Sequence, residues 1–306
     1  MKSSPIVFFG SGPVAGKSLE FLANHFNIHT VITKPRPPHH KGDVPVIRIA
    51  ESKKIPIITV NNRQDLDLLI KQKLIPNELG ILIDFGIIIS QEVISYFHKG
   101  IVNSHFSLLP EWRGADPISF AILNGDKKTG VSLMLIDEGM DTGKLLTQRT
   151  FHIPPNMTTP ELTESLIELS NELLLQAIPK YLMNLITPKR QPHPDRATYS
   201  RKLSKNDSII DWNKSANALH NEIRAYSGWP GSKTTIFNKD VILIKTNIIQ
   251  KVSDQPGTIK VDKKQGQLMV HTGHNILDIL YLKPVGKRTM TAKEFIAGYY
   301  TKKMTS

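Results

Sequence analysis

Residues 5–18 read Pro5-Ile6-Val7-Phe8-Phe9-Gly10-Ser11-Gly12-Pro13-Val14-Ala15-Gly16-Lys17-Ser18: an apolar run, a glycine-rich turn, then a helical period. An unbroken apolar run suits a strand buried on both faces. Proline suits the first helical position, where its missing N–H has no partner to lose. The succession then recurs. Strand-like runs fall at Ile6–Phe9, Thr30–Thr33, Ile55–Thr59, Ile81–Asp84, Gly100–Asn103 and Val131–Ile136, with helical stretches at Val14–His25, Asp65–Lys71, Gln91–His98 and Pro117–Leu123. This alternation predicts an α/β region with a mostly parallel sheet and helices on both faces.

A further strand is expected within Thr142–Pro154, and Thr159-Pro160-Glu161 opens a long helix whose face carries Leu162, Leu166, Leu169 and Leu173. Pro179 is expected to kink or end it. Residues 187–199 (TPKRQPHPDRATY) have three prolines and no periodicity, and read as an extended linker. Beyond it lie a helical stretch, Lys214–Tyr226, and short strands at Thr234–Phe237, Val241–Ile244, Gly257–Val261, Leu268–His271 and Ile276–Leu282. That pattern predicts a small barrel or sandwich.

The 306 residues are 40% hydrophobic with no cysteine, which excludes disulfides, iron–sulfur clusters, a thiol nucleophile and thiolate zinc. No apolar run reaches the roughly 18 residues that span a bilayer, and the amino terminus has neither a secretory nor a transit pattern. A cytoplasmic protein is expected. The formal charge is +12, and residues 201–306 hold 18 Lys and Arg against 8 Asp and Glu, a net +10. Such asymmetry between halves points to an acidic partner, foremost nucleic acid.

Three motifs are candidates for chemistry. The Gly10–Ser18 turn is one residue short of a phosphate-binding loop, because Ser11 stands where the first glycine belongs. Pro13 also lacks the N–H that would hold phosphate, so a simple strand-to-helix turn is the better reading. Asn103-Ser104-His105 ends a strand, where open α/β sheets bind ligands, and runs into Ser107-Leu108-Leu109-Pro110-Glu111-Trp112-Arg113-Gly114-Ala115-Asp116-Pro117. Asp137-Glu138-Gly139-Met140-Asp141-Thr142-Gly143 follows the strand at 131–136. Each alone has a bland alternative: a structural histidine, a turn, a solvated acidic loop.

In this order and spacing they resemble the formyltetrahydrofolate-dependent formyltransferases. The likeness continues through Ala197–Lys205, Ile210-Asp211-Trp212, Ile223-Arg224-Ala225-Tyr226, Trp229-Pro230, Pro256-Gly257-Thr258-Ile259 and Leu282–Met290, which are similar to the branch acting on methionyl-initiator tRNA. The resemblance implies a Rossmann-like catalytic domain at 1–187, a linker at 188–205 and a C-terminal tRNA-binding β-barrel, OB-like, at 206–306. It implies a co-substrate, 10-formyltetrahydrofolate, no metal, initiator methionyl-tRNA as partner, no membrane and a monomer. Asn103 and His105 would donate hydrogen bonds to a developing oxyanion, and Asp141 would orient His105 and help move the proton. Folate would lie against Ser107, Leu108, Leu109 and Pro110 and the backbone at Phe85, Gly86 and Ile88. Arg36 and Lys41 match the family's basic loop at the tRNA acceptor end, although here the loop is a few residues shorter. The first turn also departs, with Gly10-Ser11-Gly12-Pro13-Val14-Ala15 where the family has Gly-Thr-Pro-x-Phe-Ala. An amino-sugar nucleotide or other small amine as acceptor, and a non-catalytic nucleic-acid-binding homologue, are the competing readings.

Overall fold

The computed structural model describes residues 4–36 and 42–300. In chain order the first part comprises β1 (Ile6–Phe9), α1 (Pro13–Leu22), β2 (Ile28–Thr33), α2 (Pro45–Ser52), β3 (Ile57–Thr59), α3 (Arg63–Lys71), β4 (Leu79–Leu82), α4 (Gln91–Tyr96), β5 (Ile101–His105) and β6 (Arg113–Gly114). It continues with α5 (Pro117–Asn124), β7 (Lys128–Leu135), β8 (Leu145–His152), α6 (Thr159–Leu182) and β9 (Tyr199–Ser200). Seven strands form one sheet in the order β3-β2-β1-β4-β5-β7-β8. The five from β3 to β5 are parallel, while β7 runs antiparallel to both β5 and β8. Because β1 leads to β2 on one side and β4 lies on its other side, the strand order reverses between β1 and β4. Crevices at the carboxyl ends near such a reversal are where open sheets take ligands.

All four residues of β1 are buried, as the apolar run requires. Behind them Phe9 meets Phe85 and Phe97 edge-on at centroid distances of 5.6 and 5.8 Å. α1 buries Ala15, Leu19 and Leu22 on one stripe. It also packs closely against α2 at Gly16, where a Cβ would stand 2.6 Å from the Pro45 Cβ. α2 itself is not foreshadowed by the sequence reading, and β3 begins only after Pro56. Pro179 does not end α6, which continues to Leu182 with the Met183 N–H donating to the Pro179 carbonyl. The proline costs the helix the N–H that would have reached back to the Leu175 carbonyl.

The remaining elements are α7 (Ala216–Ala225), β10 (Ser232–Ile236), β11 (Lys239–Ile249), β12 (Ile259–Asp262), β13 (Gln267–His271), β14 (Ile276–Pro284), β15 (Met290–Thr291) and α8 (Ala292–Tyr299). Their strands form an antiparallel sheet ordered β10-β11-β14-β13-β12, with β15 on β14. Phe237 and Asn238, at φ 50° and 56°, make the two-residue turn from β10 to β11, a geometry that matches strand twist. Register shifts at Leu243–Lys245 and Lys245–Thr246 bend the eleven-residue β11, as bulges do. The enclosed core includes Leu219, Ile223, Leu243, Leu268, Leu277 and Phe295.

The chain clusters into two compact units: Met1–Pro117, Lys128–His152 and Thr163–Ser200 form one, and Ile118–Lys127, Ile153–Leu162 and Arg201–Ser306 the other. Much of the stretch read as a linker, 188–205, is hydrogen-bonded into the first unit. Lys189 pairs with Leu145, and β9 pairs with β6.

Candidate active site

β5 delivers Asn103 and His105 to one face of the sheet, since residues two apart on a strand point the same way. Between them, Ser104 points to the opposite face and shares a hydrogen bond with Ser170 of α6 at 2.7 Å. Asn103 and His105 are both buried. Among the described residues the Asn103 side-chain amide has no hydrogen-bond partner. His105 Nε2 lies 3.0 Å from the Trp112 carbonyl oxygen. A carbonyl can only accept, so Nε2 carries the proton and Nδ1 is the nitrogen left for chemistry. Nδ1 faces Asp141 Oδ2 at 3.7 Å, too long for a hydrogen bond.

Asp141 is held in place through the same oxygen. Its Oδ2 accepts the Gly114 N–H at 2.8 Å, and its backbone sits in the left-handed region at φ 53°. The loop around it is pinned by Asp137, whose Oδ1 accepts from the Gly139 N–H and the Thr142 hydroxyl. Two glycines are obligatory: a Cβ on Gly143 would stand 1.7 Å from the Leu135 carbonyl oxygen, and one on Gly114 (φ +111°) would stand 2.2 Å from that of Ser200. Asp141 thus stands near His105, but the imidazole is oriented by the hydrogen bond that Nε2 donates to the Trp112 carbonyl, a main-chain contact with no sequence signature.

The residues expected along a folate wall divide by environment. Ser107, Leu109 and Pro110 are buried, and Leu109 packs with Met134 and Leu145. Ser132 donates to the Ser107 carbonyl and accepts the Leu109 N–H, while Gln148 donates to the Leu109 carbonyl. Here only main chain and the half-buried Leu108 could meet a ligand. Phe85 is likewise core, whereas Gly86 (φ +66°) and Ile88 are exposed. Met140, not singled out from sequence, is also exposed. Arg36 is exposed, and Lys41 lies outside the described residues.

The glycine-rich turn after β1 is occupied by the protein itself. Ser11 Oγ donates to the carbonyl oxygens of Asp84 and Phe85, and Lys17 pairs with Glu164. The Asp84 carboxylate crowds Gly12 so closely that a Cβ there would fall 1.7 Å from Oδ2. Asp84 is exposed by surface area, but desolvation by the chain packed around its carboxyl raises that group to about 6, with Lys34 opposing and Asp116 adding to the rise. A carboxylate beside the amino end of α1 disfavours phosphate, so the turn is no nucleotide loop.

In the second unit, Lys233 of β10, Ile242 of β11 and Lys283 of β14 stand in one register row. The exposed Tyr281 pairs with exposed Lys245 in another. His220 in α7 is pushed down to about 4, first by burial and then by Arg224.

A formyl transferase family model matches residues 6–178, and a model for the formyl transferase C-terminal domain matches 202–300. A methionyl-tRNA formyltransferase of Thermodesulfovibrio yellowstonii is 36% identical over 301 residues, covering 97% of this chain and 96% of the relative. Another, from a Roseiflexus species, is 34% identical over 300 residues, covering 96% and 92%. A solved N-formyltransferase from Helicobacter canadensis, in complex with folinic acid and dTDP-3-aminofucose, superimposes with TM-score 0.68 at 22% identity, covering 91% of this chain and 98% of that one. The chain belongs to the formyl transferases and, within them, to the methionyl-tRNA formyltransferase family.

Proposed function

We propose that this protein transfers the formyl group of 10-formyltetrahydrofolate to the α-amino group of methionine on initiator methionyl-tRNA. The chemistry rests on one observation: His105 Nδ1 facing Asp141 beside an unpartnered Asn103 amide. The acceptor rests on similarity to methionyl-tRNA formyltransferases along nearly the whole chain. Residues 1–187 carry the reaction, 188–205 connect, and 206–306 hold tRNA through rows such as Lys233–Ile242–Lys283, whose cations suit phosphates. Arg36 and Lys41 serve the acceptor end. The protein works as a monomer in the cytoplasm. Among the described residues no helix is long and apolar enough to cross a membrane.

The acceptor arrives as an ammonium, and its first proton passes to the free His105 Nδ1, which frees the nitrogen to attack; the imidazolium returns that proton to water after turnover. As the C–N bond forms, the formyl oxygen becomes an oxyanion, and the Asn103 amide N–H and a protonated His105 Nδ1 donate to it. One such donor is worth about 10²–10³ in rate. Asp141 steadies the imidazolium and takes the proton shed by the attacking nitrogen. Collapse breaks the bond to N10 of the folate, which leaves with that proton. Folate lies against the main chain of Ser107–Pro110 and Phe85–Ile88.

The test is acid-stable formyl incorporation into initiator methionyl-tRNA from 10-formyltetrahydrofolate, with elongator methionyl-tRNA as control. Transfer to the initiator alone is expected. Transfer instead to an amino-sugar nucleotide would overturn the acceptor assignment.

A further inference from the structure

Residues 188–200 look like a connector in sequence, yet they brace the site. Gln191 is 6% exposed. Its Nε2 donates to the main-chain oxygens of Asp141 at 2.7 Å and Gly143 at 3.0 Å, while its Oε1 accepts from an Arg113 guanidinium nitrogen at 2.7 Å. Only one orientation of this amide works: turned over, its NH₂ would oppose the guanidinium and its oxygen would oppose two carbonyl oxygens. Further along, the Thr198 hydroxyl accepts the Trp112 N–H and the Thr198 carbonyl accepts the Arg113 N–H. The Ser200 hydroxyl donates to the Arg113 carbonyl and accepts the Asp116 N–H. The segment thus holds both the residue whose carbonyl orients His105 and the loop that carries Asp141.

We infer that Gln191 is a positioning residue for formyl transfer, tying the Asp141–Gly143 loop to the Trp112–Gly114 loop so that Asp141 Oδ2 stands against His105 Nδ1. This rests on the function proposed above. A non-glycine residue at φ 53° is held there only if its surroundings over-determine it. Gln191 binds the carbonyl of that very residue. Arg113, itself 6% exposed, makes no ion pair among the described residues, and its Nε has no partner. Among the described residues the Gln191 oxygen accepts its one side-chain hydrogen bond, so Gln191 adds a buried link between the two loops beside the direct Gly114–Asp141 bond.

Gln191→Glu separates positioning from packing. It keeps the length and gives Arg113 a charged partner, but it replaces both donors with an oxygen facing two carbonyls. Expected are a kcat lower by about 10²-fold, as for an ångström-scale misplacement, and a KM for 10-formyltetrahydrofolate within about twofold of wild type. Amide exchange should quicken at Gly114, whose N–H bonds Asp141, and not at Val7 or Ile101 in the sheet. Should the glutamate variant fail to fold, Gln191→Met, which also lacks both donors, is expected to give the same pattern. Unchanged Gly114 exchange and kcat would overturn the inference, as would a uniform loss of protection across the sheet. Exchange loosened at Gly114 in a chain whose wild type transfers no formyl group would sink the proposed function and leave the positioning role standing.

Discussion

Two loop systems on the same sheet use their polar groups in opposite ways. In the turn after β1, Ser11 is spent on the carbonyls of Asp84 and Phe85, Pro13 has no N–H, Lys17 is paired with Glu164, and the Asp84 carboxylate fills the space over Gly12. In the loops after β5 and β7 the supporting groups are equally committed: Ser132, Gln148, Asp137 and Gln191 are all engaged. Yet the Asn103 amide and His105 Nδ1 are left without hydrogen bonds. An amide and an imidazole nitrogen kept free beside a carboxylate, within loops braced by hydrogen bonds, leave donors and acceptors for a substrate.

The largest effects should come from the residues proposed to act on the substrate. Asp141→Asn is expected to lower kcat by about 10²–10⁴-fold, and Asn103→Ala by about 10²–10³-fold. KM for the formyl donor should stay within about threefold in both, in steady-state transfer assays. A change confined to KM would break the contrast. Next, Gly12→Ala should destabilise by about 1–3 kcal/mol, the range for forcing atoms into filled space. Most of that cost should vanish in an Asp84→Ala background, in a double-mutant cycle read by urea unfolding.

A smaller effect concerns pH. The Asp84 carboxyl is raised to about 6, above its unfolded value, so the unfolded chain gives up its proton first as pH climbs. Stability from this group is therefore present at pH 4 and lost between about 4 and 6. Asp84→Asn should flatten that decline, and its thermal midpoint should exceed wild type at pH 8 but not at pH 4. The smallest effect is assigned to Lys17→Ala. An exposed ion pair is worth about 0–1 kcal/mol, and formyl transfer should remain within about twofold of wild type. Loss of transfer there would revive the nucleotide-loop reading.

The strands were legible because burial on both faces demands runs such as Ile6–Phe9, and the helices because Leu162, Leu166 and Leu173 repeat on one face. α2 was not legible, since its eight residues follow a stretch rich in proline and histidine. Asn103, His105 and Asp141 could be named together because the order and spacing of their motifs resemble the formyltransferases; each motif alone had a bland alternative. Ser107, Leu109 and Phe85 were named with them, yet their side chains turned out to be buried. Sequence places a residue on a loop without saying which way it faces.

What the sequence determined by itself is therefore the α/β order and the basic last third, because periodicity and charge are local properties. Tertiary structure alone decided that the Trp112 carbonyl sets the His105 tautomer, that Asp84 fills the turn at Gly12, and that Gln191 ties two loops together. These depend on main-chain atoms and on residues tens of positions apart. Such partners meet only once the strands are in register, and no local pattern of side chains announces them.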